Sequence, residues 1–194
     1  NKSFPGVKKL KSTERFTQEL SPAELNAIRN PVKTSMTGEI VYDTGTGTLK
    51  VTAPKTESLS FFRDGLCADV LSVSGASPVF QIVTASAMDG KALKQSKDIL
   101  VFHQTDVTNE YLRYSTGNRK AVEHWGTRSP LIRRASARIA LRLASPERFR
   151  VQAIGLDGMP KGELPVSVQN GILTFSADTA SFGGTMIYRV STKQ

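Results

Sequence analysis

A single cysteine, Cys67, in 194 residues excludes an intramolecular disulfide and any multi-cysteine metal cluster, because either needs at least two thiols. Cys67 lies in an apolar-leaning run and reads as a small buried hydrophobe rather than a reactive thiol. One cysteine leaves the redox compartment open, since a secreted bacterial protein can do without disulfides. Histidine is almost as scarce. His103 and His124 are the whole supply of imidazole for nucleophilic catalysis, and no G-x-S-x-G elbow accompanies either. His103 falls on the alternating run Ile99-Val101-His103, with Asp106 close in sequence, and reads as a satisfied core or edge histidine rather than a base.

No H-E-x-x-H motif occurs and the two imidazoles stand 21 positions apart without a patterned carboxylate, so no metal site is expected. Calcium needs only oxygen ligands and stays open, although no D-x-D-x-D-G loop argues for it. Gly45-Thr46-Gly47-Thr48 lacks the third glycine and the following helix of a phosphate-cradling motif, and nothing else calls for a cofactor. No run approaches the roughly 18 consecutive apolar residues of a membrane span. Asn1 in place of an initiator methionine predicts a trimmed chain, from which a signal peptide was removed or which is a segment of something longer.

What is present specifies architecture. Hydrophobic residues at 39% and charged ones at 22% are ordinary for a folded domain, so disorder is not the default. The length favours one domain with an appendage. Arg134 to Leu143, R-A-S-A-R-I-A-L-R-L, puts Ala135, Ala137, Ile139, Leu141 and Leu143 on one side of an extended chain and Arg134, Ser136, Arg138, Ala140 and Arg142 on the other. That period of two is a strand with a dry face and a guanidinium face. Further strands are expected at Glu39–Asp43, Thr48–Ala53, Ser58–Arg63, Ala68–Ser74, Val79–Met88, Asp98–Gln104, Phe149–Leu156, Val166–Asn170, Ile172–Ala177 and Thr185–Ser191, punctuated by glycine-bearing turns. Thr44-Gly45-Thr46-Gly47 joins the first two as a hairpin. The fold class is therefore all-β, an antiparallel β-sandwich of jelly-roll or Ig-like type. Ile40, Tyr42, Leu49, Val51, Ile139, Leu141, Leu173 and Phe175 are its predicted inward residues.

Two stretches depart from this pattern. Residues 1–37 carry Lys2, Lys8, Lys9, Lys11, Arg15, Arg29 and Lys33 with few apolar anchors, and read as a basic linker or docking segment ahead of a sandwich domain over 38–194. Within it Ser21-Pro22-Ala23-Glu24 predicts a short helix running to about Arg29, stopped by Pro31. Residues 105–132 read as a long irregular insertion, the kind of loop that carries function or an interface. Ala87-Met88-Asp89-Gly90 and Gly155-Leu156-Asp157-Gly158 echo each other as two turns of the same chemistry and no true repeat.

Three chemistries compete for a ligand. A glycoside hydrolase needs two carboxylates roughly 5–10 Å apart. Asp43, Asp64, Asp69, Asp106 and Asp178 are possible members of such a pair, but any sheet protein carries carboxylates at its turns. The net charge of +9 draws polyanions, and its densest part is Arg113, Arg119, Lys120, Arg128, Arg133, Arg134, Arg138, Arg142, Arg148 and Arg150 against only Glu123 and Glu147. If these share a face, it suits sulfate, carboxylate or phosphate. Nucleic acid is disfavoured because few stacking aromatics accompany the charge, and a solvated or domain-docking face is the plainer reading. Trp125 in Glu123-His124-Trp125-Gly126, with Tyr111 and Tyr114, either stacks on a sugar ring or plugs the core. Ligand contact is accordingly assigned to Trp125, Tyr111, Tyr114, His124, Arg138 and Arg142, with no catalytic and no metal-binding residue.

The strand Thr37-Gly38-Glu39-Ile40-Val41-Tyr42-Asp43 is followed by Gly47-Thr48-Leu49-Lys50-Val51-Thr52-Ala53-Pro54-Lys55-Thr56. Later come His124-Trp125-Gly126, Pro130-Leu131-Ile132, the Arg134–Leu143 strand and the Ala153–Gly158 hairpin. Together these resemble the C-terminal β-sandwich modules that follow the catalytic domain in large secreted bacterial glycoside hydrolases and related polysaccharide-acting proteins. The resemblance spans about residues 35–192, and residues 1–34 match nothing, as a linker would. It implies a sandwich without catalytic residues, secreted or at the cell surface, that packs on an upstream catalytic domain of the same polypeptide or extends its glycan-binding surface. Tyr42 stands where tryptophan is frequent, which keeps the core reading and removes sugar stacking there. A polyanion- or nucleic-acid-binding domain using the Arg113–Arg150 band is the alternative. A stand-alone jelly-roll hydrolase is a third.

Overall fold

A computed structural model describes Asn26 and residues 29–62, 65–127 and 130–193. In chain order the strands are β1 (Val32–Thr34), β2 (Ile40–Asp43), β3 (Thr48–Thr52), β4 (Thr56–Phe61), β5 (Leu66–Cys67), β6 (Leu71–Ser74), β7 (Gln81–Ala87), β8 (Asp98–Gln104) and β9 (Val107–Asn109). They continue as β10 (Leu112–Tyr114), β11 (Val122–Trp125), β12 (Pro130–Ile132), β13 (Ser136–Arg142), β14 (Phe149–Ile154), β15 (Pro160–Leu164), β16 (Val166–Gln169), β17 (Ile172–Asp178) and β18 (Ile187–Thr192). The short helix expected up to Arg29 lies outside the described residues, apart from Arg29 itself and Asn26, whose carbonyl accepts from the Asn30 amide at 2.9 Å. Among the described residues no helix is long and apolar enough to cross a membrane.

Two antiparallel sheets hold the chain. The long one has nine strands in the order β1, β2, β3, β4, β7, β8, β18, β14, β15, and the short one five in the order β16, β17, β13, β6, β5. On β13 the side chains of Ala137, Ile139 and Leu141 are buried while Ser136, Arg138 and Arg142 stand in solvent, which is the period of two that the sequence predicts. Its neighbour β17 sets Phe175 opposite Ile139 and Leu173 opposite Leu141. These meet Leu59, Val83, Ile99, Val101, Val151 and Tyr188 from the long sheet in one buried cluster. Each sheet thus removes one apolar face from water by covering the other's, the driving term of a sandwich.

Ile40, Tyr42, Leu49 and Val51 depart from the expected inward set. Ile40 pairs with Val51 and Tyr42 with Leu49, so the four side chains share a face, but Val51 and Leu49 lie beside Ser58 and Ser60, on the side of β4 opposite buried Leu59 and Phe61. That side is the long sheet's outer face, and Ile40 and Tyr42 are 43% and 42% exposed. None of β1, β2 and β3 adds a residue to the shared core. Cys67 is corrected as well. It sits opposite Ser72 on the short edge strand β5, where Leu66 takes the inner side, and its thiol is exposed. Of the strand expected over Ala68–Ser74 only Leu71–Ser74 forms, as β6, and Ala68–Val70 make the turn from β5, in which the Ala68 amide donates to the Leu71 carbonyl at 2.8 Å.

Turn chemistry follows the residues. Between β2 and β3 the Asp43 Oδ1 accepts from the amides of Gly45 at 2.8 Å and Thr46 at 3.3 Å, and Gly47 takes φ +69°, which a glycine reaches without a Cβ clash. Glu57, Gln81 and His103 are polar side chains buried on the inner face of the long sheet. The Glu57 carboxylate on β4 accepts from the amides of Val70 at 2.9 Å and Leu71 at 2.7 Å, tying the long sheet to the start of β6, and burial pushes its pKa up. His103 on β8 has no exposed surface, and its Nε2 lies 2.6 Å from Gln81 Oε1. Gln81 Nε2 donates to the Ser77 carbonyl at 2.7 Å, which fixes Oε1 toward the ring and places the imidazole proton on Nε2. Burial lowers the ring's pKa to about 4.

The far margin of the long sheet is blunted. Strand β15 begins with Pro160, which has no amide proton to offer a further strand, and on the face of the sheet the Phe182 ring packs where a Cβ of Gly162 would fall. Lys161 Nζ donates to the Gly184 carbonyl at 2.9 Å.

Candidate functional site

The described part of residues 105–132, that is 105–127 and 130–132, contains paired strands, against the expectation of an irregular insertion. Strand β9 pairs with β12, setting Asn109 opposite Pro130 and Val107 opposite Ile132, and further out β10 pairs with β11. The result is a two-part β-arm that joins neither main sheet. Its parts are separated by a break at Glu110-Tyr111 on one side and Gly126 on the other. Gly126 has φ +84°, and a Cβ there would meet the Glu110 carbonyl oxygen and lie 2.9 Å from Asn109 Cβ. Only glycine fits both demands. Across the same break Tyr111 holds φ +64°, a conformation costing a bulky L-residue on the order of 1–2 kcal/mol.

The arm's root is clasped by charge. Asp106 Oδ2 accepts from Arg133 Nη2 at 3.3 Å and from Arg119 Nη1 at 3.2 Å, so a residue of the arm's tip reaches back to its base. The Arg119 guanidinium also lies 5.8 Å from the Tyr114 ring centroid. These pairs are solvated and each is worth at most about 1 kcal/mol, but together they fix where the tip sits.

Antiparallel pairing sorts the side chains of the outer part by face. Leu112 stands opposite Trp125, and Arg113 opposite His124. Trp125 is 72% exposed, which decides between the two readings of the only tryptophan: it is no core plug. On the reverse face Tyr111, Arg113, His124 and Thr127 line an open pocket of about 400 Å³, within the range that takes one or two small rings. His124 Nδ1 accepts from the Gly126 amide at 3.0 Å, so the neutral ring carries its proton on Nε2. The Asn109 side chain donates to the Trp125 carbonyl at 3.0 Å and steadies the strand behind the indole. Thr127 escaped sequence reasoning, because a lone threonine beside a glycine carries no pattern. Arg113 entered it only as a member of the basic band.

Of the assigned contact residues, Trp125, Tyr111, Tyr114 and His124 come together on the arm. Arg138 and Arg142 do not join them. They project from the outer face of the short sheet, Arg138 between Ser74 and Ser176. The basic band as a whole is divided. Arg150 lies on the outer face of the long sheet, Arg113 and Arg119 on the arm, Arg134 is held by Asp178 at 3.1 Å, and Arg128 is outside the described residues. Three of the carboxylates weighed for hydrolysis are employed otherwise: Asp43 closes a turn, Asp106 clasps the arm, and Asp178 holds Arg134 and the Ala180 amide, while Asp69 stands exposed between β5 and β6. Asp64 lies outside the described residues. Among the described residues no group of three or more His, Cys, Asp and Glu side chains is placed to hold a metal ion. Comparison with family models, with curated proteins and with solved structures finds no match to the chain.

Proposed function

We propose that the chain is a non-catalytic accessory module of a secreted or cell-surface carbohydrate-active protein, a sandwich of the jelly-roll or Ig-like kind, which contacts glycan through its β-arm and packs on a catalytic domain of the same polypeptide. The observation that carries this reading is the arm's outer part. An exposed indole on one face and a tyrosine, an arginine, a histidine and a threonine around a pocket on the other supply what a pyranose uses: a flat apolar surface for its C–H face and polar groups for its hydroxyls. Strain at Tyr111 sits where binding residues tend to hold it. The likeness of the motifs around Tyr42 and Trp125 to the accessory modules of glycoside hydrolases agrees with it.

A glycan array probed with the intact chain and with Trp125→Ala tests the proposal. At least one neutral glycan class is retained by the parent chain and bound about tenfold more weakly by the variant, the loss of roughly one stacking contact. Retention that survives Trp125→Ala removes the arm from the account. A second reading, polyanion binding, draws on Arg138 and Arg142, which form no ion pair among the described residues. Heparin on the same array reports it, as retention that Arg138→Gln abolishes and Trp125→Ala leaves untouched.

A further inference from the structure

The outer face of the long sheet carries a groove that the glycan reading does not use. Its floor consists of cross-strand neighbours. Leu100 on β8 stands beside Arg189 on β18, which stands beside Gln152 on β14, and one row along Phe102, Ile187 and Ile154 stand side by side. Met88 bounds one end and Leu156, 90% exposed, the other, so the two echoing turns of the sequence close the same trough. The groove runs on into a second hollow, with Asp98, Gln152 and Arg189 common to both. There Lys97, Arg150, Ser191 and Thr192 complete the lining.

Charge in that hollow is unbalanced. Asp98 is the one carboxylate in its lining, and both its oxygens are engaged by Arg189, Nε to Oδ1 and Nη2 to Oδ2, each at 2.8 Å. Among the described residues Lys97 and Arg150 have no carboxylate partner, and Arg150 Nε is buried with no acceptor there. Two cations, two hydroxyls and an amide around one hollow form a donor set for an oxyanion, and the guanidinium fork suits its geometry. The adjoining floor is aliphatic and aromatic, the wrong surface for a bare ion and the right one for a few apolar carbons.

We propose that this groove is a binding site for an amphiphilic oxyanion, whose carboxylate, sulfate or phosphate group sits between Lys97 and Arg150 while its apolar body lies over Leu100, Phe102 and Ile187. The site stands on a different surface patch from the arm and on different residues, so it holds or falls independently of glycan binding.

Amide chemical shifts of the intact chain, followed at constant ionic strength during titration with sodium sulfate and with hexyl sulfate, test it. Hexyl sulfate is expected to give saturable shifts at Lys97, Ser191, Thr192 and along Leu100–Phe102, at a concentration at least tenfold below that needed with sulfate. Arg150→Gln weakens both ligands about tenfold or more, with Lys97→Gln as an exposed-site variant that leaves the core untouched. Leu100→Ser weakens hexyl sulfate alone. Hexanoate and N-acetyl-leucine distinguish an acyl chain from a peptide terminus as the source of the same chemistry, and saturable shifts from either support the site. Shifts that grow linearly, that lie elsewhere, or that persist unchanged in Arg150→Gln overturn the proposal. Equal affinity for sulfate and hexyl sulfate overturns its apolar half.

Discussion

His103 shows how one buried ring couples this fold to pH. In the unfolded chain the imidazole titrates near 6.5, and in the fold, where burial disfavours the cation, at about 4. Above pH 6.5 both states hold the ring neutral and its full contribution is present. Between 6.5 and 4 the unfolded chain takes up a proton that the fold refuses, so the unfolding free energy falls by about 1.4 kcal/mol per pH unit, about 3 kcal/mol in all. Urea unfolding of the parent chain and of His103→Gln at a pH of about 7.5 and again at about 4 isolates this contribution, because the carboxylates titrate alike in both. The parent is expected to lose about 3 kcal/mol more than the variant. Equal losses would mean that the ring accepts its proton inside the fold. The sequence showed His103 as an alternating core position and could not show which atoms it meets, since Gln81 and Ser77 lie more than twenty residues upstream and reach it only through the pairing of β7 with β8.

Among the elements, the arm depends most on one backbone position. Gly126→Ala adds a Cβ onto the Glu110 carbonyl oxygen at a φ that alanine resists, so the break between the arm's two parts cannot keep its present geometry. The expected result is a change in Trp125 fluorescence and in the shifts of Arg113 and His124 with a loss of about 1–2 kcal/mol in global stability. An unchanged tryptophan spectrum would show that the arm is not built around this glycine. Legibility varied between elements for a physical reason. Strand β8 was readable end to end and β13 nearly so, because each runs seven residues with one face in a common core, and alternation over that length is unmistakable. Strands β1, β9, β10 and β12 are three residues each, and their alternation is too brief to distinguish from loop. For Ile40, Tyr42, Leu49 and Val51 the period is right and the face wrong. Alternation says that two faces differ, and only the reach of the second sheet says which is covered. The arm's aromatics were legible as a cluster of types, whereas their sorting by face depended on the register of β10 against β11.

For the whole molecule the decisive fact is that the two sheets share one core. Leu141, fully buried at the centre of the short sheet between Leu173 and Leu71, belongs to the same cluster as Ile99 and Val101 of the long sheet. Leu141→Ala is therefore expected to lower the stability of both sheets together, by about 3 kcal/mol, with a single urea transition whose midpoint shifts and whose slope does not. Two resolved transitions would show that the sheets unfold separately. Positive charge, by contrast, is distributed over the arm and both outer faces, so no single surface is defined by it. The blunted border at β15 bears on behaviour at high concentration. Pro160 offers no proton at the start of that border, so an incoming backbone loses a donor there, and the broadest layer of the protein is a poorer seed on which further copies could stack into fibrils from that side.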